Sequence, residues 1–244
     1  VPRILLIDIE TRPNLGYVWS LWQQNVGISQ LKEVSEVICY GAKWVGEKKV
    51  YFQSVHHDGK EAMLQGVWGL LDEADFVVGW NSKGFDAKHL KREFLLAEMP
   101  PTSPWKDLDL MLAVRSQFKF TSNKLDFVSQ QMGVGSKVKH EGFQLWLDCM
   151  AGDEAAWRKM KKYQIQDVLL LEPLYERLKP WIPNHPNVNL YDGGDGCPLG
   201  SSHTFEKRGY AYTGVAKYQQ YHCTQEGCGK WFRGKTMLGT TEAR

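Results

Sequence analysis

No apolar run in this 244-residue chain approaches the roughly 20 residues that a membrane-crossing helix needs, so a helical membrane protein is excluded. The opening Val1-Pro2-Arg3 lacks the charged and apolar regions of a secretory signal and leads straight into a strand pattern. These two absences predict a soluble, cytoplasmic protein without a membrane partner. Neither sign of charge dominates, because the net charge is only +2. Five cysteines are an odd number and do not complete a disulfide framework, which points to a reducing compartment. No internal repeat is visible. What remains is ordinary globular composition, 43% apolar and 24% charged, with ten each of Trp, Tyr and Phe. That aromatic content suits the stacking of bases and the filling of a core equally well. The length allows one good core plus a small appendage.

Charge and cysteine are unevenly distributed. From Cys197 onward there are seven Lys/Arg against three Glu, a net +4, which leaves −2 on residues 1–196. A polyanionic partner would prefer the tail. Cys39 and Cys149 stand alone in apolar or mixed surroundings and read as buried thiols, whereas Cys197, Cys223 and Cys228 cluster in the tail.

Residues 3–10 read as a buried strand, and 36–45 with 48–55 as a hairpin turning at Gly46-Glu47. Helical spacing covers 60–73. A short strand at 76–80 runs into Asn81, and a helix follows over 85–97, stopped by Pro100-Pro101. Two short helices are expected at 108–118 and 124–132, the second capped from Thr121-Ser122-Asn123. A long helix is expected over 154–179, capped by Asp153 and broken by Pro180 and Pro183. The order predicts an α/β sheet with helices packed on it. Pro and Gly clusters make 184–196 a linker. Beyond it, residues 197–244 read as a small β module, below the size that usually folds without a metal or disulfide.

Four acids end or follow these elements. Asp8 and Glu10, at i and i+2 on a strand, point to one face. Asp86 follows a buried strand at a strand-to-helix junction, where ligands of α/β sheets gather. Tyr163 and Asp167, at i and i+4, share one face of a helix. Carboxylates at the ends of buried elements are costly unless positive charge meets them, and this density suits a pair of hard divalent cations in phosphoryl transfer. Several neighbours invite less. Asp109 reads as a helix cap, His140 as a loop residue, and His56-His57 as exposed residues without partner ligands. Lys88, Lys91 and Arg92 read as a solvated helix face.

Asp-x-Glu on a strand, then Asn81 to Phe85-Asp86 after a strand, then Tyr163-x-x-x-Asp167 on a helix resemble the three motifs of the DEDDy 3′–5′ exonucleases. These belong to the ribonuclease-H-like superfamily, which includes proofreading domains of DNA polymerases. The resemblance covers residues 3–180. It implies a ribonuclease-H-like mixed sheet, flanked by helices, whose order is disturbed by one antiparallel strand. It also implies two Mg²⁺ or Mn²⁺: Asp8 would bridge them, Glu10 and Asp167 would serve the nucleophile side, and Asp86 the leaving-group side. Tyr163 would orient the attacking water, Thr11 and Phe85 would line the 3′-terminal nucleotide, and Asn81 would contact substrate or brace the site. The expected domains are a nuclease at 1–183, the linker, and the tail module.

The tail resembles a zinc ribbon of the kind attached to phage and mobile-element nucleic-acid enzymes. Gly200 stands where the first knuckle should have its second Cys, and Cys223 and Cys228 are spaced two residues wider than usual. His203 is the expected fourth ligand of one structural Zn²⁺, beside Cys197, Cys223 and Cys228. His222 is less suited, since it points to the opposite face of the strand from Cys223. Lys207, Arg208 and Arg233, interleaved with aromatics, are expected to hold nucleic acid. The function so implied is a 3′–5′ exonuclease on single-stranded or frayed DNA, with replication or repair proteins as further partners. An exoribonuclease and an inactive nucleic-acid-binding adaptor are the alternatives.

Overall fold

The computed structural model describes residues 1–23, 25–139 and 141–242, so His140 lies outside the described residues. The chain divides into two compact units, Arg3–Leu174 on one hand and Val1–Pro2 with Tyr175–Arg244 on the other. Among the described residues no helix is long and apolar enough to cross a membrane.

The larger unit contains strands β1 (Ile4–Thr11), β2 (Leu15–Gly16), β3 (Leu31–Glu33), β4 (Val37–Trp44), β5 (Val50–Ser54), β6 (Phe76–Gly79) and β7 (Lys106–Asp109). Its helices are α1 (Lys60–Asp72), α2 (Asp86–Leu96), α3 (Leu110–Gln117), α4 (Leu125–Gln131), α5 (Phe143–Met150) and α6 (Glu154–Leu178), the last running on into the smaller unit. Five strands form one sheet in the order β5-β4-β1-β6-β7. β1, β6 and β7 run parallel, and β4 is antiparallel to both β1 and β5. β4 is therefore the one reversed strand of a mixed ribonuclease-H-like sheet, as the resemblance implied.

The alternation of β1 decides what each face does. Leu5, Ile7 and Ile9 enter a core with Met63, Val67 and Leu71 of α1 and Leu90 and Phe94 of α2. Asp8 and Glu10 consequently point to the other face, where Trp157, Met160 and Tyr163 of α6 pack with Ile38, Cys39 and Leu145. Helix α6 comes very close at Gly41, the partner of Asp8 across the β1–β4 ladder. A Cβ there would lie 3.0 Å from the side chains of Gln164 and Val168, so glycine is what lets the helix sit against the strand. Buried Lys43, two residues along, pairs with Glu172 of α6, and Glu172 also accepts the Gly46 amide at 2.7 Å.

Three expectations need correction. Residues 106–109, read partly as helix, form β7, which is too short for a period to show and is held by parallel pairing with β6. The cap of α4 is Lys124 without a side-chain bond, and Ser122 only accepts the Lys124 amide at 3.3 Å. Helix α5 was not foreseen. The cap at Asp153 is present, accepting the amides of Ala155 at 2.6 Å and Ala156 at 2.9 Å.

The smaller unit holds α7 (Asn189–Asp192) and the antiparallel sheet β10-β9-β8 from β8 (Phe205–Tyr212), β9 (Ala216–Cys223) and β10 (Trp231–Thr240). The stretch 184–196, read as linker, is packed. His185 accepts from the Tyr175 hydroxyl at 2.8 Å while its Nδ1 donates to the Pro186 carbonyl, and buried Asn189 donates to the Cys197 carbonyl at 3.0 Å. Burial pushes the His185 pKa down to about 4 and keeps the ring neutral.

Candidate nuclease site

Each acid arrives on a different kind of local structure. β1 delivers Asp8 and Glu10 directly. Asp86 comes through a tight turn after β6. A Cβ on Gly79 would meet the Ser82 Cβ at 2.6 Å, and Asn81 turns the chain with φ of 68°, a left-handed conformation that asparagine tolerates well. Asp109 holds that turn. Its carboxylate accepts the amides of Asn81 at 3.1 Å and Lys83 at 3.2 Å while also capping α3 through the Leu112 amide at 3.1 Å. Asp109 is thus both the cap expected and a brace for the turn. Asp86 then enters the first turn of α2 and accepts the Ile9 amide at 3.0 Å, which ties it to β1 between Asp8 and Glu10. Helix α6 supplies Tyr163 and Asp167.

The carboxylates strain against one another. Asp8 is held well above the usual carboxylate range, first by burial and then by repulsion from Asp86, Glu10 and Asp167. Burial pushes Glu10 up to about 8, opposed by Lys137, and burial pushes Asp86 up to about 7, with Asp107 and Asp109 adding repulsion. Asp8 Oδ2 is buried without a hydrogen-bond partner among the described residues. A buried oxygen of this kind, surrounded by three other carboxylates, is a site built for positive charge.

The sequence reading missed the cation that meets this charge, Lys137. Its ammonium donates to Asp167 at 2.5 Å and to the Tyr163 hydroxyl at 2.8 Å. Burial alone would lower the Lys137 pKa, yet Asp167 and Tyr163 carry it upward, so it stays charged. Asp126 of α4 anchors the backbone by accepting the Lys137 amide at 2.8 Å. Lys137 follows a glycine-rich loop, and nothing periodic there marks it. Trp146 of α5, equally unforeseen, bonds its side chain to Glu10 and lies edge-on to Tyr163 at 6.1 Å.

A cleft of about 630 Å³ opens on Asp8. Trp80 and Asn81 line it, with three cations, Arg115, Lys124 and Lys137. Asn81 therefore faces the site. Phe85 is partly exposed, with its ring 4.4 Å from that of His89, and Thr11 follows Glu10 at a register shift in β1. The helix face with Lys88, Lys91 and Arg92 is not uniformly solvated, because Lys91 lies over Trp105 and Arg92 donates to the Ser35 carbonyl.

Residues 26–179 match the sequence model of the RNase H superfamily. The chain belongs to the RNase H superfamily. The matched span includes Asp86, Lys137, Tyr163 and Asp167 and begins after Asp8 and Glu10. Among solved structures, the chain is similar to the family B DNA polymerase of the hyperthermophilic archaeon Pyrobaculum calidifontis, with a TM-score of 0.57 at 18% identity. The likeness covers 91% of this chain and 33% of the polymerase, so the chain spans about a third of that protein's length. No curated protein matches. An RNase H-like fold with clustered acids supports a nuclease role.

The smaller unit of this RNase H superfamily member carries a second cluster. Ligand atoms of Cys197, His203, Cys223 and Cys228 all lie within 4.8 Å of one another, with Cys197 Sγ 3.8 Å from Cys228 Sγ and Cys223 Sγ 3.6 Å from His203 Nδ1. Gly200 explains the missing cysteine. A Cβ there would lie 2.7 Å from His203 Nε2, so the imidazole fills the space that a cysteine at 200 would enter. His222 points away, 3.6 Å from Glu206 and beside Trp231. A separate cleft of about 860 Å³ brings together Lys207, Arg233, Lys235, Tyr221 and Phe232 and leaves Arg208 outside. Arg208 lies instead over Trp231.

Proposed function

We propose that this chain is a metal-dependent 3′–5′ exonuclease that hydrolyses single-stranded or frayed DNA ends to nucleoside monophosphates. The observation that carries the reading is the convergence of Asp8, Glu10, Asp86 and Asp167 around a buried, unpartnered Asp8 oxygen. Two Mg²⁺ or Mn²⁺ ions held by these four carboxylates would stabilise the charge that develops on the phosphate. The residues of the chain do the rest. Arg115 and Lys124 attract the phosphates at the mouth of the cleft, and Trp80 offers a face for a base. Tyr163, with its hydroxyl held by Lys137, orients the attacking water, and Lys137 holds the Asp167 carboxylate in place. Thr11 and Phe85 line the terminal nucleotide, and Asn81 braces the turn that carries Asp86.

The smaller unit grips the strand through Lys207 and Arg233 beside Tyr221 and Phe232. Cys197, His203, Cys223 and Cys228 fit one structural Zn²⁺, since three thiolates and an imidazole are its usual donors. Matched 3′-labelled DNA and RNA strands, incubated with Mg²⁺ or Mn²⁺ and with EDTA, test the reading. Stepwise release of mononucleotides from DNA, abolished by EDTA and by Asp8→Ala, is expected. Equal degradation by wild type and Asp8→Ala would overturn the two-metal assignment, and preference for RNA would overturn the substrate.

A further inference from the structure

A second histidine-bearing cluster lies outside both sites. His56 and His57 occupy the turn after β5, and Glu154 opens α6. His56 Nε2 is 2.8 Å from Glu154 Oε1, and His57 Nε2 is 3.6 Å from Glu154 Oε2. Metal bonds of about 2.0–2.2 Å put neighbouring donor atoms roughly 3–3.5 Å apart, so these separations bracket those of a coordinated ion. The histidines are exposed as expected, and the expectation that they lack a partner ligand is corrected by Glu154. The carboxylate comes from 98 residues away, and sequence spacing could not reveal it.

The donors are held in place by their surroundings. His57 Nδ1 lies 2.9 Å from the hydroxyl of fully buried Ser54, and the tautomer that donates there leaves the Nε2 lone pair outward. The His56 ring stacks on Trp157 at 5.2 Å and 9°. Trp157 is itself buried and donates to the Cys149 carbonyl at 2.9 Å. An orienting hydrogen bond behind one imidazole and a fixed plane behind the other are what separate a metal site from a surface ion pair.

We propose that His56 Nε2, His57 Nε2 and the Glu154 carboxylate bind one borderline divalent transition ion, of the Zn²⁺ or Ni²⁺ class. Two imidazoles and one carboxylate favour such ions over Mg²⁺ or Ca²⁺, which prefer all-oxygen shells. The bound ion staples the end of β5 to the first turn of α6, the helix that carries Tyr163 and Asp167. Three protein donors leave coordination positions open, so the ion exchanges readily. The site is independent of the nuclease reading.

Imidazole nitrogen NMR of the full chain tests it, with Zn²⁺ alone as the probe, added beyond what the native protein already holds. The Nε2 signals of both His56 and His57 should move with the first added equivalent, assigned through His56→Ala and His57→Ala. Glu154→Gln should weaken that response at least about tenfold. The catalytic acids contribute no imidazole signal, and the cysteine cluster contributes only His203, so neither can mimic the result. Signals of His56 and His57 that stay still in excess Zn²⁺, or that respond alike in wild type and Glu154→Gln, would overturn the proposal.

Discussion

The carboxylate site and the cysteine cluster each gather donors that suit cations, and they stand in opposite surroundings. The acids sit on a strand whose other face is anchored: Leu5, Ile7 and Ile9 belong to a large core shared with α1 and α2. Their own mutual repulsion works against folding, and Lys137 relieves part of it. In the smaller unit the ligands are themselves core residues: buried Cys197 and Cys223 cluster with Leu199, and Cys228 and Phe232 pack against them. A metal at the first site adds chemistry to a finished fold. A metal at the second would tie together the segments that carry its ligands.

That contrast can be broken most forcefully at the cysteines. Cys228→Ser should lower the metal content by one ion and open residues beyond Leu178 to limited proteolysis, because structural zinc sites contribute on the order of 10 kcal/mol. The nuclease core should keep its own thermal transition. If the tail of the variant resists protease like wild type, packing alone holds it.

Asp8→Asn should do the reverse. Catalysis should fall at least about 10³-fold, on the scale of several kcal/mol of lost charge stabilisation. The metal-free protein should melt no lower than wild type at neutral pH, since one member of the repelling cluster is gone. Loss of fold with loss of activity would sink the contrast.

A pH series sharpens it further. Glu10 and Asp86 have raised values when folded, so between the ordinary carboxylate range and about 8 the native state binds more protons than the unfolded chain. Stability from these groups is present at low pH and is lost as pH rises through about 7 and then about 8. Metal-free protein should therefore melt progressively lower across that window, and saturating Mg²⁺ should flatten the slope. A melting temperature independent of pH there, with and without Mg²⁺, would contradict the electrostatic account.

The smallest effect is mechanical. Gly41→Ala places a methyl group 3.0 Å from Gln164 and Val168 and should cost about 1–3 kcal/mol as α6 shifts. Activity should fall more than stability suggests, because Asp167 and Tyr163 move with the helix. Equal losses in both would mean that the close approach serves packing only.

Much of the fold was legible because it is written in short-range periods. The alternation in β1, the helical spacing of α1 and the Asp153 cap can be read locally, and so can the faces on which Asp8, Glu10, Tyr163 and Asp167 lie. β7 was not legible. Its four residues carry two acids and a lysine, and parallel pairing with β6 makes them a strand. The stretch 184–196 misled for a related reason: proline and glycine mark where regular structure ends, while His185 and Asn189 acquire burial only through partners on other segments.

By itself the sequence determined the acids, the elements that bear them and the class of chemistry they suit, because side-chain direction follows from local backbone geometry. Only the tertiary structure decided which cations and braces meet those acids. Lys137 finds Asp167 from 30 residues away, Asp109 finds Asn81 from 28, and Glu154 finds His56 from 98. His203 was a ligand candidate through the resemblance to a zinc ribbon, yet its fit depends on the missing side chain of Gly200. Charges and donors act through space, and the distances that govern them exist only once the chain has folded.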